Sequence, residues 1–372
     1  MIFKRPMTDG IGSGLSLAPG RKAARKKVVV QLPKRADIGD VNDRYRWELE
    51  SLEPIADLVE VKATNRKDFV RGAHDADAII TSWGFRITRE VIEGLNRCVV
   101  IGVGSVGVDK VDVDAATEAG IVVTNVPDIF IEEVADHTLM LLLACARRVK
   151  TVDRYVAEGN WQEGRHLLQQ IPRLWGQTLG LVSFGNVARA VARRAQPFGL
   201  RVIAFDPYVS ELKMTEQGVE PVSFGELLER SDFVSVHPGH TDETYHMLST
   251  PQFEAMKPTA MLINCGRGAT VDQEALIDAL VRREIAGAGL DVLEKEPPDP
   301  ECPLLQMPNV ILTSHVASAT TRMRPEARRR VGRDVAMVLR GRWPMSCVNP
   351  GVLPRTPLER WQPVPMDRGP NR

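Results

Sequence analysis

Short apolar runs separated by polar, helix-forming stretches recur along this chain, and their spacing predicts its elements. In the first third, KVVVQLP (27–33), ADAIITSW (76–83), NRCVVIGVGSVG (96–107) and IVVTNVPD (121–128) each run into glycine or polar residues, as strands do. EEVADHTLMLLLACARRV (132–149) carries apolar residues on more than one helical face, which predicts a long and largely buried helix. A second series follows: LGLVSFG (179–185), RVIAFDP (201–207), DFVSVHP (232–238), AMLINCG (260–266), GAGLDV (287–292) and NVILTSH (309–315). These runs are near-continuous rather than alternating, the pattern of strands covered on both faces in a parallel sheet. VARAVARRAQ (187–196), stopped by Pro197, and DQEALIDALVRRE (272–284) supply helices between them.

The rhythm predicts an α/β protein of two doubly wound parallel sheets with an interdomain cleft. One domain spans 128–315. The other is discontinuous, 27–127 plus 316–349, and is closed by the helical stretch RPEARRRVGRDVAMVLRG (324–341). A chain of 372 residues is in any case too long for one ordinary core. Residues 1–26 mix Gly, Ser and Pro with basic residues and lack the apolar segment of a secretory signal, so they are expected to be a disordered tail. Residues 350–372, rich in proline, are expected to be a second tail with no regulatory domain.

Composition narrows the function. Lys+Arg and Asp+Glu number 48 each, so no net field draws nucleic acid or a membrane surface. No apolar run approaches the roughly 20 residues of a membrane-spanning helix. Five scattered cysteines (Cys98, Cys145, Cys265, Cys302 and Cys347) lack C-x-x-C spacing and fit a reducing, cytoplasmic setting. His74, His166, His240 and His246 show no ligand spacing, and His137, beside Asp136 on the buried helix, is expected to pack; no metal site is expected.

Candidate chemistry begins at LGLVSFGNVARAVA (179–192), where strand, turn and helix follow the order of a dinucleotide-binding G-x-G-x-x-G turn. In that turn the first glycine allows the bend, the second the approach of pyrophosphate, and the third close helix packing. Ser183, Gly185 and Ala188 hold those places here. The second position is intact, and the helix start at Phe184, Gly185, Asn186 and Val187 offers N–H groups and a positive dipole end to phosphate. Ser183 costs something only if the bend requires a positive φ. Asp206 closes the next strand 23 residues after Ser183, where an acid accepts from the ribose 2′-hydroxyl and repels a 2′-phosphate. NAD, as NADH rather than NADPH, is therefore the expected cofactor.

Three residues at the carboxyl ends of later strands complete the chemistry: Arg267 after AMLINCG, Glu296 in DVLEKEPP and His315 closing NVILTSH. A guanidinium holds a carboxylate by two parallel hydrogen bonds and polarises the neighbouring carbonyl. An imidazole takes or returns the hydroxyl proton, and a carboxylate beside it orients the ring. Together they suit oxidation of a 2-hydroxy acid or reduction of its keto acid. Trp83 and Phe85, following an N-terminal strand, are expected to overhang the cleft.

The blocks IGVGSVGVDKVDVDAATEAGIVVTNVPD, EEVADHTLMLLLACAR, MLINCGRGATVDQEALIDAL, GAGLDVLEKEPP and LTSHVASAT, in this order with the glycine turn, resemble the D-isomer-specific 2-hydroxyacid dehydrogenase family over roughly residues 76 to 349. The resemblance implies two Rossmann-like (flavodoxin-like) domains and an NAD-dependent enzyme interconverting a D-2-hydroxy acid and a 2-keto acid. It also implies that Arg267, Glu296 and His315 are catalytic. Backbone N–H groups of Ser105, Val106 and Gly107 would receive the substrate carboxylate, with Arg267 beside it; Trp83, placed there by its position after the strand rather than by the resemblance, is expected to border the substrate as well. Asp291 would meet the nicotinamide carboxamide, Cys265 its ribose, and His237, Pro238 and Thr241 the adenosine end. A homodimer through the helix at 132–149 is implied as well. Two departures stand out: Ser183 in place of glycine, and the loop HPGHTDE (237–243), which resembles the transcriptional-corepressor branch of the family. Together they motivate an alternative, an NAD(H)-sensing scaffold without turnover, although Ser318 stands where the corepressor branch has tryptophan.

Overall fold

The computed structural model of the chain describes residues 24–31, 41–81, 86–169 and 171–360. A first sheet is formed by β1 (Lys26–Gln31), β2 (Ala56–Val61), β3 (Ala78–Thr81), β4 (Val100–Val103) and β5 (Val122–Thr124). Its order is β2-β1-β3-β4-β5 and every pairing is parallel. Apolar runs anticipate all of these but β2, where Asp57 and Glu60 interrupt ADLVEV. An edge strand needs less burial than a central one, so its pattern is weaker.

Both faces of this sheet are covered. Val29, Ile79, Ile101 and Val123 pack with Phe69, Val91 and Ala115 on one side. Val28, Ile80, Val100 and Val122 pack on the other with Val331 and Val335, which belong to the helix Met323–Leu339. The chain thus returns to its first sheet after completing its second. Residues beyond 349 stay attached for a further stretch: the Arg355 side chain donates to the carbonyls of Ala119, Leu95 and Cys98.

The second sheet comprises β6 (Thr178–Val182), β7 (Arg201–Phe205), β8 (Glu220–Pro221), β9 (Phe233–Val236), β10 (Met261–Asn264), β11 (Gly287–Leu290) and β12 (Val310–Leu312). Their order is β12-β11-β10-β9-β6-β7-β8, again with parallel pairings. The order reverses between β6 and β9, and open α/β sheets bind ligands outside the carboxyl ends of strands at such a reversal. Leu179, Leu181, Val202, Phe233 and Ile263 face the helices Ile131–Ala146 and Asn186–Ala195. Val182, Ile203, Val234, Leu262 and Leu290 face Phe224–Arg230 and Gln273–Arg282. Each fully buried Leu, Ile or Val in these layers contributes roughly 1.5–3 kcal/mol. The α/β class of two doubly wound parallel sheets expected from the sequence is the one observed.

One boundary moved. The run expected as a single helix to residue 149 stops at Ala146, because Arg148 takes a left-handed φ of 51°. A second helix, Val149–Ala157, begins there. Among the described residues, no helix is long and apolar enough to cross a membrane.

Candidate active site

The glycine turn does require the left-handed region. Ser183, directly after β6, has φ 73°, a conformation disfavoured for residues with a Cβ. Gly185 caps the helix Asn186–Ala195 with no side-chain hydrogen bond, so the first N–H groups of that helix keep their donor capacity. A Cβ on Gly185 would meet nothing within 4 Å, so open space lies where the backbone of Phe184, Gly185, Asn186 and Val187 turns into the helix. Ala188 is fully buried beneath it. An anion-binding helix start facing open space is what a dinucleotide pyrophosphate needs, and the backbone of Gly185, Asn186 and Val187 fits one, whereas the Phe184 N–H, expected to face phosphate, is given to Asp206.

Around the turn, Asp206 after β7 accepts from Ser183 Oγ (3.1 Å) and Phe184 N (2.8 Å) at Oδ2, and from Tyr208 N (2.8 Å) at Oδ1. His237 and Pro238 follow β9, where His237 Nε2 hydrogen-bonds Ser235 Oγ at 2.9 Å. Burial pulls the His237 pKa down to about 4, which keeps that ring uncharged at neutral pH. Thr241 is exposed and its N–H donates to Thr244 Oγ1 (2.8 Å). Cys265, after β10, is buried, and that burial pushes its pKa up to about 12. It is a neutral wall residue, not a thiolate.

The catalytic candidates gather at the carboxyl ends of β10, β11 and β12. The Arg267 carbonyl accepts from Asn264 Nδ2 (3.1 Å) and Thr270 Oγ1 (2.6 Å), which fixes the backbone from which the side chain leaves. Its Nη1 donates to Gly266 O (2.9 Å) and its Nε to Asp109 Oδ2 (3.2 Å). A Cβ on Gly107 would overlap Nη2 of Arg267. The guanidinium therefore lies against the loop Ser105-Val106-Gly107 because residue 107 is glycine. That loop is itself fixed: Ser105 Oγ donates to Gly107 O (2.8 Å), Asn125 Nδ2 to Val106 O (2.7 Å) and Val126 N to Ser105 O (3.2 Å).

His315 Nδ1 meets Glu296 Oε2 at 2.7 Å, and Glu296 Oε1 accepts from Leu293 N at 3.1 Å. Burial pushes Glu296 up, but the hydrogen bonds from His315 and Leu293 outweigh it and hold the carboxyl below its ordinary value. The Glu296 segment abuts the arginine loop, since a Cβ on Gly268 would run into the backbone of Leu293 and Glu294. Arg267, Glu296 and His315 thus share one end of the sheet.

Asp291 sits underneath, 2% exposed. Its Oδ1 accepts from Thr313 Oγ1 (2.6 Å) and Val316 N (2.9 Å), its Oδ2 from Ala317 N (2.9 Å), and its carbonyl from His315 N (2.8 Å). His315 has φ 55°, so this buried acid clamps a left-handed histidine on both sides. His137, expected to pack, hydrogen-bonds Thr313 Oγ1 through Nε2 (2.9 Å) and extends the clamp into the long helix. Asp109, Asn264, Thr270 and Thr313 escaped sequence reasoning; Asp109 stands 158 residues from the arginine it holds. Trp83 and Phe85 lie outside the described residues. Among those described, no group of three or more His, Cys, Asp and Glu could hold a metal ion.

Fold and site together define a nicotinamide-linked oxidoreductase. The profile of the D-isomer specific 2-hydroxyacid dehydrogenase NAD binding domain matches residues 139–317. A glyoxylate reductase of Korarchaeum cryptofilum is 42% identical over 290 residues, 78% of this chain and 87% of the relative. Among solved structures, an NADPH-dependent glyoxylate/hydroxypyruvate reductase of Sinorhizobium meliloti, in complex with NADP and malonate, superposes with a TM-score of 0.75. It is 31% identical, and the match covers 87% of this chain and 97% of that one. A D-lactate dehydrogenase of Aquifex aeolicus, in complex with NAD and lactic acid, gives 0.74 at 28% identity over 84% and 96%. The chain belongs to the D-isomer-specific 2-hydroxyacid dehydrogenase family and is an enzyme of that class, interconverting 2-hydroxy and 2-keto acids with a nicotinamide cofactor. The scaffold alternative finds no support among these relatives, which are named as enzymes.

Proposed function

We propose that this enzyme reduces small 2-keto acids such as glyoxylate or hydroxypyruvate with NADH, using Arg267, His315 and Glu296. Arg267 and the Ser105-Val106-Gly107 loop hold the substrate carboxylate, a bidentate fit that only a planar guanidinium supplies. The bound nicotinamide supplies the hydride. His315, oriented by Glu296 through Nδ1, delivers the proton from its other ring nitrogen to the carbonyl oxygen that becomes the hydroxyl, and takes it back in the reverse direction. Asp291 bordering the carboxamide, Cys265 the ribose and His237, Pro238 and Thr241 the adenosine end remain part of this proposal. The Asp206 carboxylate disfavours a 2′-phosphate, which supports NADH over NADPH. The names of relatives that act on glyoxylate and hydroxypyruvate support the substrate class.

The observation that carries the proposal is the 2.7 Å contact between His315 and Glu296 on the sheet end that also bears Arg267. Its test is NADH consumption over a panel of keto acids. Glyoxylate and hydroxypyruvate should lead the panel, and His315→Ala should lower turnover by about 10²- to 10⁴-fold while NADH still binds. Full turnover in that variant would remove His315 from the mechanism.

We also propose a homodimer. The helix Val149–Ala157 buries none of its residues within the chain, and Val149 and Val156 are about half exposed, an unpartnered apolar surface next to the long helix. Sedimentation as a monomer at micromolar concentration would contradict it.

A further inference from the structure

We infer that Ser183, the residue that breaks the glycine fingerprint, is a positioning residue that locks Asp206 and thereby enforces selection of NADH over NADPH. The inference rests on the NADH preference proposed above. Three observations carry it. First, Ser183 occupies a left-handed φ of 73°, where glycine would sit without penalty, so the serine side chain is kept against a backbone cost. Second, that side chain makes a specific contact: its Oγ donates to Asp206 Oδ2 at 3.1 Å. Third, Phe184 N reaches the same oxygen at 2.8 Å, and Tyr208 N reaches Oδ1 at 2.8 Å.

A carboxylate offers about four lone-pair directions. Both on Oδ2 are filled by Ser183 and Phe184, and one on Oδ1 by Tyr208. The direction left over is on Oδ1, and a ribose hydroxyl is the donor expected to use it. A carboxylate pinned from both ends cannot turn aside, so a cofactor bearing a 2′-phosphate must bring its dianion against a fixed negative charge. Glycine at position 183 would remove the one side-chain anchor of the three, free a direction on Oδ2 and leave the carboxylate held by two backbone N–H groups alone, loosening it rather than releasing it.

Two variants separate the hydroxyl from the backbone. Ser183→Ala keeps the strained φ and loses the hydroxyl, whereas Ser183→Gly loses both. Dissociation constants for NADH and NADPH are measured by quenching of protein fluorescence, and thermal midpoints are measured without cofactor. In both variants the ratio of the NADPH to the NADH constant should fall by about 3- to 10-fold, and the glycine variant should melt above the alanine variant because its strain is relieved. A ratio equal to that of the parent in both variants would overturn the inference. So would a glycine variant that binds both cofactors equally more tightly, since Ser183 would then be only a tolerated burden. A parent protein without NADH preference would instead show that the assignment of Asp206 fails, and the role of Ser183 with it.

Discussion

Two residues of the cofactor-binding domain stand in nearly the same backbone predicament. Ser183 follows β6 and His315 lies just beyond β12; each has a positive φ, 73° and 55°, and each is tied to an aspartate. The ties differ. Asp206 is partly exposed and meets the serine side chain. Asp291 is buried and grips the peptide groups on either side of the histidine, leaving the imidazole to Glu296. Strain at a non-glycine residue persists only where its surroundings over-determine it. At Ser183 the side chain is consumed in that task. At His315 a second acid performs it, and the side chain is released for chemistry.

The severest test of this contrast is Asp291→Asn, which replaces one acceptor oxygen with an amide and leaves a buried peptide N–H or the Thr313 hydroxyl without its partner. Each such orphan costs about 1–3 kcal/mol, and the clamp on the left-handed His315 keeps its backbone tie but loses part of its side-chain hold. Turnover should fall by about 10²-fold, the penalty of a misplaced catalytic group, and the urea midpoint should drop with it. Turnover within a factor of three of the parent, at an unchanged midpoint, would show that Asp291 does not hold the loop.

Much of this site could be read from the chain because parallel strands advertise themselves. Their near-continuous apolar runs end where ligands bind, so Arg267, Glu296 and His315 were visible as polar residues at or beyond three successive strand ends. β2 and β8 were not, since an edge strand with acids at Asp57 and Glu60 and a two-residue strand at Glu220–Pro221 carry little pattern. Contacts across the cleft escaped for another reason: nothing local marks Asp109 as the partner of Arg267. The role of Asp291 was hidden as well, because clamping peptide groups leaves no signature in residue type. Whether Ser183 was harmful depended on one dihedral angle, which sequence spacing does not specify.

A smaller effect isolates the second acid of the histidine. Glu296→Gln keeps the volume and one acceptor oxygen but removes the charge next to His315 Nδ1. A hydrogen bond to a charged group is worth roughly 1.5–3 kcal/mol, so kcat/KM for keto-acid reduction should fall by about 10- to 100-fold. Unlike the change at Asp291, this one leaves the clamped peptide groups untouched, and the urea midpoint at neutral pH should move little. The pH dependence gives the sign. Because the Glu296 carboxyl lies below its ordinary value in the folded protein, its contribution is complete above the unfolded carboxyl value and is lost only as the pH falls through the lowered one. The parent rate should therefore carry an acid limb below the usual carboxylate range, and the glutamine variant, which cannot titrate there, should lack it. Equal rates, or an identical acid limb in both proteins, would mean that the imidazole takes its orientation from Asp291 alone, and the division of labour between the two acids would collapse into the single tie found at Ser183.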